Sequence, residues 1–368
     1  MFSKRVLHLF SSWTAGGAEK LMLSLAQGLE KEGLQNYIAA PKKSYLIEYA
    51  KKMNLKNFSI MIKGSFDPIG ILKLWWIVQK ENIDIIHAHQ GKVFWPCIIM
   101  KFLRKSKTKV VFHRHAHIPH MFYTRTHYLL ADKVIAISSI VAKDLQEREN
   151  VPREKIQVVY NGTDFERFNS KVSASEVRKK YGLEGKDVIG TIGQMNKPKG
   201  KGQQYLIEAA AMLKNKLSNN RYLIVGTGPI LEDLKKMAQK LGVSDIVFFP
   251  GYQEEIEKYI AAMDIFCFLS WDKEGFGQVM VEAQGMGKPV IGTDIGGIPE
   301  TFQNGITGIL IPSENPEILA MSIQQLLLNK PKLKQMGEEA ARFVNEKFSI
   351  NNMIKNVINV YRELYVLL

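Results

Sequence analysis

Glu274 and Glu282 bracket the run Glu274-Gly275-Phe276-Gly277-Gln278-Val279-Met280-Val281-Glu282, which joins a glycine loop to two carboxylates. A carboxylate accepts hydrogen bonds from a vicinal diol of the kind a ribose or a hexose presents. Gly275 and Gly277 remove side-chain bulk, so a ligand can approach the backbone closely there. The apolar run 265–269 predicts a buried strand, and residues 278–286 predict a helix ended by Gly287 and Pro289. Free N–H groups at such a helix start favour a phosphate or a negative sugar oxygen. Glu274 precedes the helix and Glu282 lies more than one turn inside it, so the two can grip different parts of one extended molecule. Taken alone, the spacing equally fits a strand-turn-helix unit whose glutamates are solvated.

The elements that must position this segment form a repeating pattern. Apolar runs at 6–10, 37–40, 58–61, 83–87, 109–112, 133–137 and 156–160 alternate with helical segments; residues 18–31 place Leu21, Leu25 and Leu29 on one face. After the turn Asn161-Gly162-Thr163-Asp164 and the polar stretch 169–186, the alternation restarts with runs at 188–192, 222–225, 246–249, 265–269 and 290–293. This predicts an α/β chain of two Rossmann-like, doubly wound domains facing a cleft, at residues 1–165 and 166–350. A chain of 368 residues is too long for one comfortable core, which agrees with two domains. The last helical segment, 351–368, is a candidate to pack back on the first domain, a point periodicity does not decide.

Composition narrows the class. The 46% hydrophobic content gives no sign of disorder. Cys97 and Cys267 sit in apolar runs and read as core residues of a reducing compartment. The N-terminus lacks the apolar run of a signal peptide, and no stretch is long enough to span a bilayer, so a cytoplasmic location is expected. Net charge is +14 and uneven: residues 1–165 carry 25 Lys and Arg against 13 Asp and Glu, the remainder 25 against 23. Lys101, Arg104, Lys105, Lys107 and Lys109 follow the apolar stretch 93–100, and Lys42, Lys43, Lys51, Lys52, Lys56 and Lys63 form a second basic group. Basic and apolar residues side by side suit an anionic membrane surface. Nucleic acid is the rival partner and a solvated basic face the plain alternative.

The Glu274–Glu282 segment continues through Ala283-Gln284-Gly285-Met286-Gly287-Lys288-Pro289-Val290-Ile291, and Gly296-Gly297-Ile298-Pro299-Glu300 follows. These motifs, in order, resemble the E-x7-E signature, G-x-P-V-I strand and following glycines of the family 4 glycosyltransferases, retaining enzymes of the GT-B fold. The likeness spans almost the whole chain and extends to bacterial surface-polysaccharide and lipopolysaccharide transferases. It implies that Glu274 contacts donor-sugar hydroxyls, that Glu282 holds the ribose diol, and that the Gly275, Phe276 and Gly277 amides lie against sugar and phosphates. Residues 193–202 correspond to the family's G-R-x…K-G segment, but Gln194 stands where arginine is usual. An amide donates a hydrogen bond without neutralising phosphate. Counting back from Tyr205 favours Lys201 as the remaining diphosphate lysine; counting forward from Gly193 favours Lys199.

Gly16-Gly17-Ala18-Glu19 resembles the family's G-G-A-E loop and lets backbone pass close to a ligand at a helix start. In His113-Arg114-His115-Ala116-His117, His115 best fits the family's histidine near the reaction centre, with His117 second. Their i, i+2, i+4 spacing without a cysteine or acid argues against zinc there. Gly226-Thr227-Gly228-Pro229 is a further glycine turn. No Asp-x-Asp pair occurs, so no metal or other cofactor is expected, and lysine with helix N-termini must stabilise the departing diphosphate.

The resulting expectation is a hexosyltransferase using a nucleotide diphosphate sugar, UDP-sugar favoured, and a glycolipid or oligosaccharide acceptor at the inner membrane face. A soluble acceptor is the nearest alternative. A nucleotide-sugar epimerase shares the architecture, and a nucleic-acid-binding protein would explain the charge but not the glycine loops.

Overall fold

The computed structural model describes residues 3–13, 16–105, 107–115 and 124–366. The chain divides into one unit of Met1–Gly162 with Ile350–Leu368, and a second of Thr163–Ser349.

In the first unit, β1 (Arg5–Leu9), β2 (Gln35–Ala40), β3 (Lys56–Ser59), β4 (Ile85–Ala88), β5 (Lys109–Arg114), β6 (Lys133–Ala136) and β7 (Ile156–Val158) form one parallel sheet, ordered β3-β2-β1-β4-β5-β6-β7. Nearly every residue of β1, β4 and β6 is buried, as a parallel sheet covered on both faces requires. The order reverses between β1 and β4, which makes their carboxyl ends the switch point where ligands of such sheets bind.

The helix Ile350–Val366 belongs to this unit and packs on the helix Gly17–Lys31. Its Met353, Ile354, Val357, Ile358, Tyr361 and Leu364 share a core with Leu21, Leu25 and Leu29. Contact is so close at Gly28 that a Cβ there would stand 2.1 Å from Ile354 Cδ1. Tyr365 Oη donates to Asp84 O at 3.2 Å, tying the helix to the residue preceding β4.

The second unit repeats the topology. Strands β8 (Asp187–Ile192), β9 (Asn220–Val225), β10 (Val247–Gly251), β11 (Ile265–Phe268), β12 (Val290–Thr293) and β13 (Gly308–Ile311) are parallel in the order β10-β9-β8-β11-β12-β13. Its reversal falls between β8 and β11. Strand β13 was not anticipated: it has four residues, lies at the sheet edge and is only half covered, so its apolar signal is short.

One expectation fails on burial. Val93, Phe94, Pro96, Cys97, Ile98 and Met100 are buried, mostly on the inner side of the helix Phe94–Leu103, so the 93–100 stretch is largely core and offers little apolar surface. Lys101 beside it pairs with Asp132 at 2.9 Å. Exposed apolar side chains of this unit lie instead on the helix Pro68–Lys80, at Ile69 (78% exposed), Leu72 (69%), Trp75 and Trp76, and at Phe66, Phe102 and Leu103, with Trp13 and Met61 exposed elsewhere. Cys97 and Cys267 are both buried free thiols. Among the described residues no helix is long and apolar enough to cross a membrane.

Candidate functional site

In the second unit, the loop after β11 is held from behind by backbone. Gly297 N donates to Glu274 O at 2.9 Å. Gly296 has φ +56°, and a Cβ on it would lie 2.0 Å from Glu274 O, while one on Gly297 would lie 2.2 Å from Gly275 O. No side chain fits at either place. Gly277, at φ +89°, opens the helix Gln278–Gly285 from the left-handed region. Phe276 turns its ring inward against Phe348, centroids 5.3 Å apart, so it can present only backbone to a ligand.

Glu274 is mostly buried, and its Oε2 accepts from Lys201 Nζ at 2.7 Å. Lys201 sits between Gly200 (φ +56°) and Gly202 (φ +79°), and a Cβ on Gly202 would lie 1.9 Å from Leu269 O at the end of β11. That backbone approach delivers the lysine to the carboxylate. Lys199 goes elsewhere: its Nζ lies 2.7 Å from Glu314 and 5.1 Å from the Trp271 ring centroid. Of the two lysines, Lys201 is therefore the one that meets Glu274. Gln194 is exposed, and its Oε1 accepts from Asn196 Nδ2 at 3.1 Å. Gly226 and Gly228 bring the turn after β9 against Gly193 O and Met195 O, where a Cβ would come within 2.1 and 2.4 Å.

Glu282 is half-buried on its helix. Arg167, unnoticed in the sequence, bonds Glu257 at 2.7 Å. Burial opposes its charge, but the Glu257 bond and the charges of Glu257 and Glu282 outweigh this and raise its pKa. Glu282 thus acts within a charged group that includes Arg167.

In the first unit, Gly16 caps the helix Gly17–Lys31, and its N–H donates to Glu19 Oε2 at 2.9 Å. Gln90 Nε2 donates to Glu19 Oε1 at 3.3 Å, and Gln90 Oε1 accepts from Ser11 N and Oγ. Gly17 is exposed with open space around it. Beside this loop, at the ends of β1, β4 and β5, stand His8, His87, His89, His113 and His115. His115 Nε2 faces His89 Nδ1 at 3.3 Å, and its buried Nδ1 has no partner among the described residues. Burial pushes the His115 pKa down to about 4, so the ring is neutral at pH 7. His117 lies outside the described residues.

The ligating atoms of His8, His87 and His89 lie within 4.8 Å of one another, as do those of His89, His113 and His115. Spacing along one strand could not reveal this. The legible signal was a repeated H-x-H, at His87-Ala88-His89 and His113-Arg114-His115, ending adjacent strands whose i, i+2 residues share a face.

Residues 15–167 match the family described as Glycosyltransferase Family 4, and residues 173–343 match Glycosyl transferases group 1. A D-inositol 3-phosphate glycosyltransferase of Streptomyces bingchenggensis is 31% identical over 319 residues, covering 80% of this chain and 70% of that protein. A glycosyltransferase structure from Rickettsia africae matches with a TM-score of 0.89 at 25% identity over 99% of each chain. The structure of Anabaena HepE in complex with UDP-glucose matches with a TM-score of 0.84 at 23% identity, over 98% of this chain and 100% of that one. Two doubly wound sheets, two successive family matches and a relative of this identity lead to one conclusion: the chain belongs to the family 4, group 1 glycosyltransferases and has the GT-B fold.

Proposed function

We infer that the protein is a retaining hexosyltransferase that takes its sugar from a nucleotide diphosphate donor, UDP-sugar favoured, in keeping with the UDP-glucose held by Anabaena HepE. The observation that carries this reading is the Lys201–Glu274 pair beside the opening of the helix Gln278–Gly285. Both side chains are partly exposed, so the pair itself contributes only about 0–1 kcal/mol. A diphosphate oxygen can replace Glu274 on Lys201 at little cost, and the freed carboxylate then accepts from donor-sugar hydroxyls. Phosphate charge developing on the leaving group falls on Lys201 and the N–H groups of the 275–277 loop and helix start, without a divalent ion at that place. Glu282 takes the ribose diol. Gln194 adds a polar donor but no charge. Lys199, engaged with Glu314, has no part in the donor site. By the family resemblance, neutral His115 is assigned to the reacting sugar and the Gly16-Gly17 loop to donor contact. With no covalent nucleophile assigned, the leaving phosphate helps deprotonate the acceptor hydroxyl in a front-face substitution.

The acceptor is read as a lipid-linked or polysaccharide hydroxyl presented at the cytoplasmic membrane face. The support is the exposed set Phe66, Ile69, Leu72, Trp75, Trp76, Phe102 and Leu103, with Lys63, Lys73, Lys80, Lys105 and Lys107 exposed on or beside the same helices. Apolar and tryptophan side chains insert at the headgroup level while lysines meet anionic lipid.

Donor titration and turnover of two variants test the site. Glu282→Ala is expected to weaken nucleoside diphosphate binding, and Glu274→Ala to lower kcat by about 100-fold through lost positioning. Wild-type donor affinity and turnover in both would sink the assignment. Flotation with anionic vesicles at low salt tests the membrane reading separately, and absence of the protein from the lipid fraction would remove it.

A further inference from the structure

The histidines of the first unit cost more than a core requires. His8, His87, His89 and His113 are fully or almost fully buried. Among the described residues, His87 Nε2 and both nitrogens of His113 have no hydrogen-bond partner. A buried polar atom left unsatisfied costs about 1–3 kcal/mol, so an apolar core at this place would be more stable. Something other than packing accounts for them.

Three of these rings are arranged as metal ligands with their outer nitrogens already held. His8 and His87 are register partners in β1 and β4, and His89 follows His87 on the same face. Asn36 Nδ2 donates to Leu34 O, which turns its Oδ1 toward His8; His8 Nε2–H therefore donates to Asn36 at 3.1 Å, leaving Nδ1 as a bare lone pair. His87 Nδ1 lies 2.6 Å from Tyr361 Oη, leaving Nε2 to point away. His89 Nδ1 lies 3.3 Å from His115 Nε2, and His89 Nε2 faces His8 Nδ1 at 3.1 Å. Two nitrogens at about 2.0–2.1 Å from a tetrahedral zinc ion stand about 3.3–3.4 Å apart, close to that separation.

We propose that His8 Nδ1, His87 Nε2 and His89 Nε2 bind one divalent transition-metal ion, zinc first. The donor set is three imidazoles without thiolate or carboxylate, which suits zinc over magnesium or calcium. Each ligand keeps its single proton on the far nitrogen: His8 donates to Asn36, His87 to Tyr361, and His89, as its Nδ1–H tautomer, to His115 Nε2. His115 then carries its proton at Nδ1, so coordination releases no net proton. This pattern, in which every ligating ring is oriented by a hydrogen bond from its other nitrogen, is the one that fixes histidine ligands at metal centres. Burial also holds all three rings in the neutral, ligating form. The site is built into the first sheet, and its ligand His89 is hydrogen-bonded to His115, the histidine assigned above to the reacting sugar.

The test uses full-length protein carrying no polyhistidine tag, produced in zinc-supplemented medium, dialysed against metal-free buffer and analysed by elemental mass spectrometry. Wild type is expected to retain about one equivalent of zinc. His87→Gln and His89→Gln should retain less than a tenth of that, while His113→Gln keeps it. Cobalt incorporated in place of zinc should give the visible absorption of a tetrahedral nitrogen-ligated site in wild type and lose it in His87→Gln. Should a variant fold poorly, the wild-type unfolding midpoint still reports: zinc should raise it over the chelator-treated protein. Zinc-free wild type, with no shift of the midpoint after refolding in zinc, would overturn the proposal. Equal zinc in His87→Gln, or loss confined to His113→Gln, would overturn it as well.

Discussion

The two units place opposite chemistries at the same topological position. Counted within each unit, both sheets run 3-2-1-4-5-6, the first with a seventh strand beyond the sixth, and both reverse between the first and fourth strands. At the reversal in the second unit stand a lysine, a glutamate and glycines pressed against backbone. At the reversal in the first stand neutral, stacked imidazoles; all eight histidines of the chain occur between residues 8 and 127, and none in the second unit. The fold supplies a crevice at the strand ends, and the residues at those ends decide whether it is charged or neutral.

The glycines give the sharpest contrast and the largest expected effect. Gly202→Ala puts a methyl group 1.9 Å from Leu269 O in a left-handed backbone, so it should destabilise the protein by about 3 kcal/mol or more. Gly17→Ala, in open space at a helix start, should be neutral or stabilise by up to about 1 kcal/mol. Equal losses in denaturant unfolding of the two variants would erase the distinction between a packed glycine loop and an open one.

A second contrast is acid sensitivity. His127 packs among Phe94, Trp95, Phe112 and Tyr128, and burial, with a smaller effect of Arg114, lowers its pKa to about 3. Its unfolded value is near 6.5, so between those values the unfolded chain binds a proton that the folded chain does not. Stability is therefore full above pH 6.5 and falls as pH drops toward 3, by about 1.4 kcal/mol per pH unit from this group. His127→Phe should flatten that part of the stability profile in urea titrations between pH 7 and 4. An unchanged slope would mean that the ring is not neutral in the folded state.

The two lysines separate the proposed donor contact from surface pairing. Lys201→Gln should weaken nucleoside diphosphate binding by about tenfold, a loss of about 1.4 kcal/mol, whereas Lys199→Gln should change it less than about twofold. Calorimetric titration decides, and a larger effect at Lys199 would reverse the assignment made from the Glu274 pairing.

Much of the second unit's site was legible because its signals are local. Gly277 and Gly202 take positive φ where only a glycine is comfortable, and Glu274 and Glu282 fall where a loop and a helix place them. The Lys-Gly-Lys-Gly run left two candidates open, since alternating glycines say that a lysine is presented without saying to what. Arg167 stayed hidden because its partners Glu257 and Glu282 are about a hundred residues away. The 93–100 run misled because hydrophobicity alone does not distinguish a buried helix face from an exposed one, and only packing turned Phe94 inward and left Leu72 outside.

The sequence by itself determined the alternation of strands and helices, the two-domain α/β class and the glycine turns, because these depend on backbone preferences and apolar periods within a few residues. The tertiary structure alone decided that Lys201 meets Glu274, that the helix Ile350–Val366 joins the first unit, and that His8, His87 and His89 converge. Those contacts depend on strand order and register, which bring together residues as far apart as His87 and Tyr361, and no local preference encodes a neighbour at that distance.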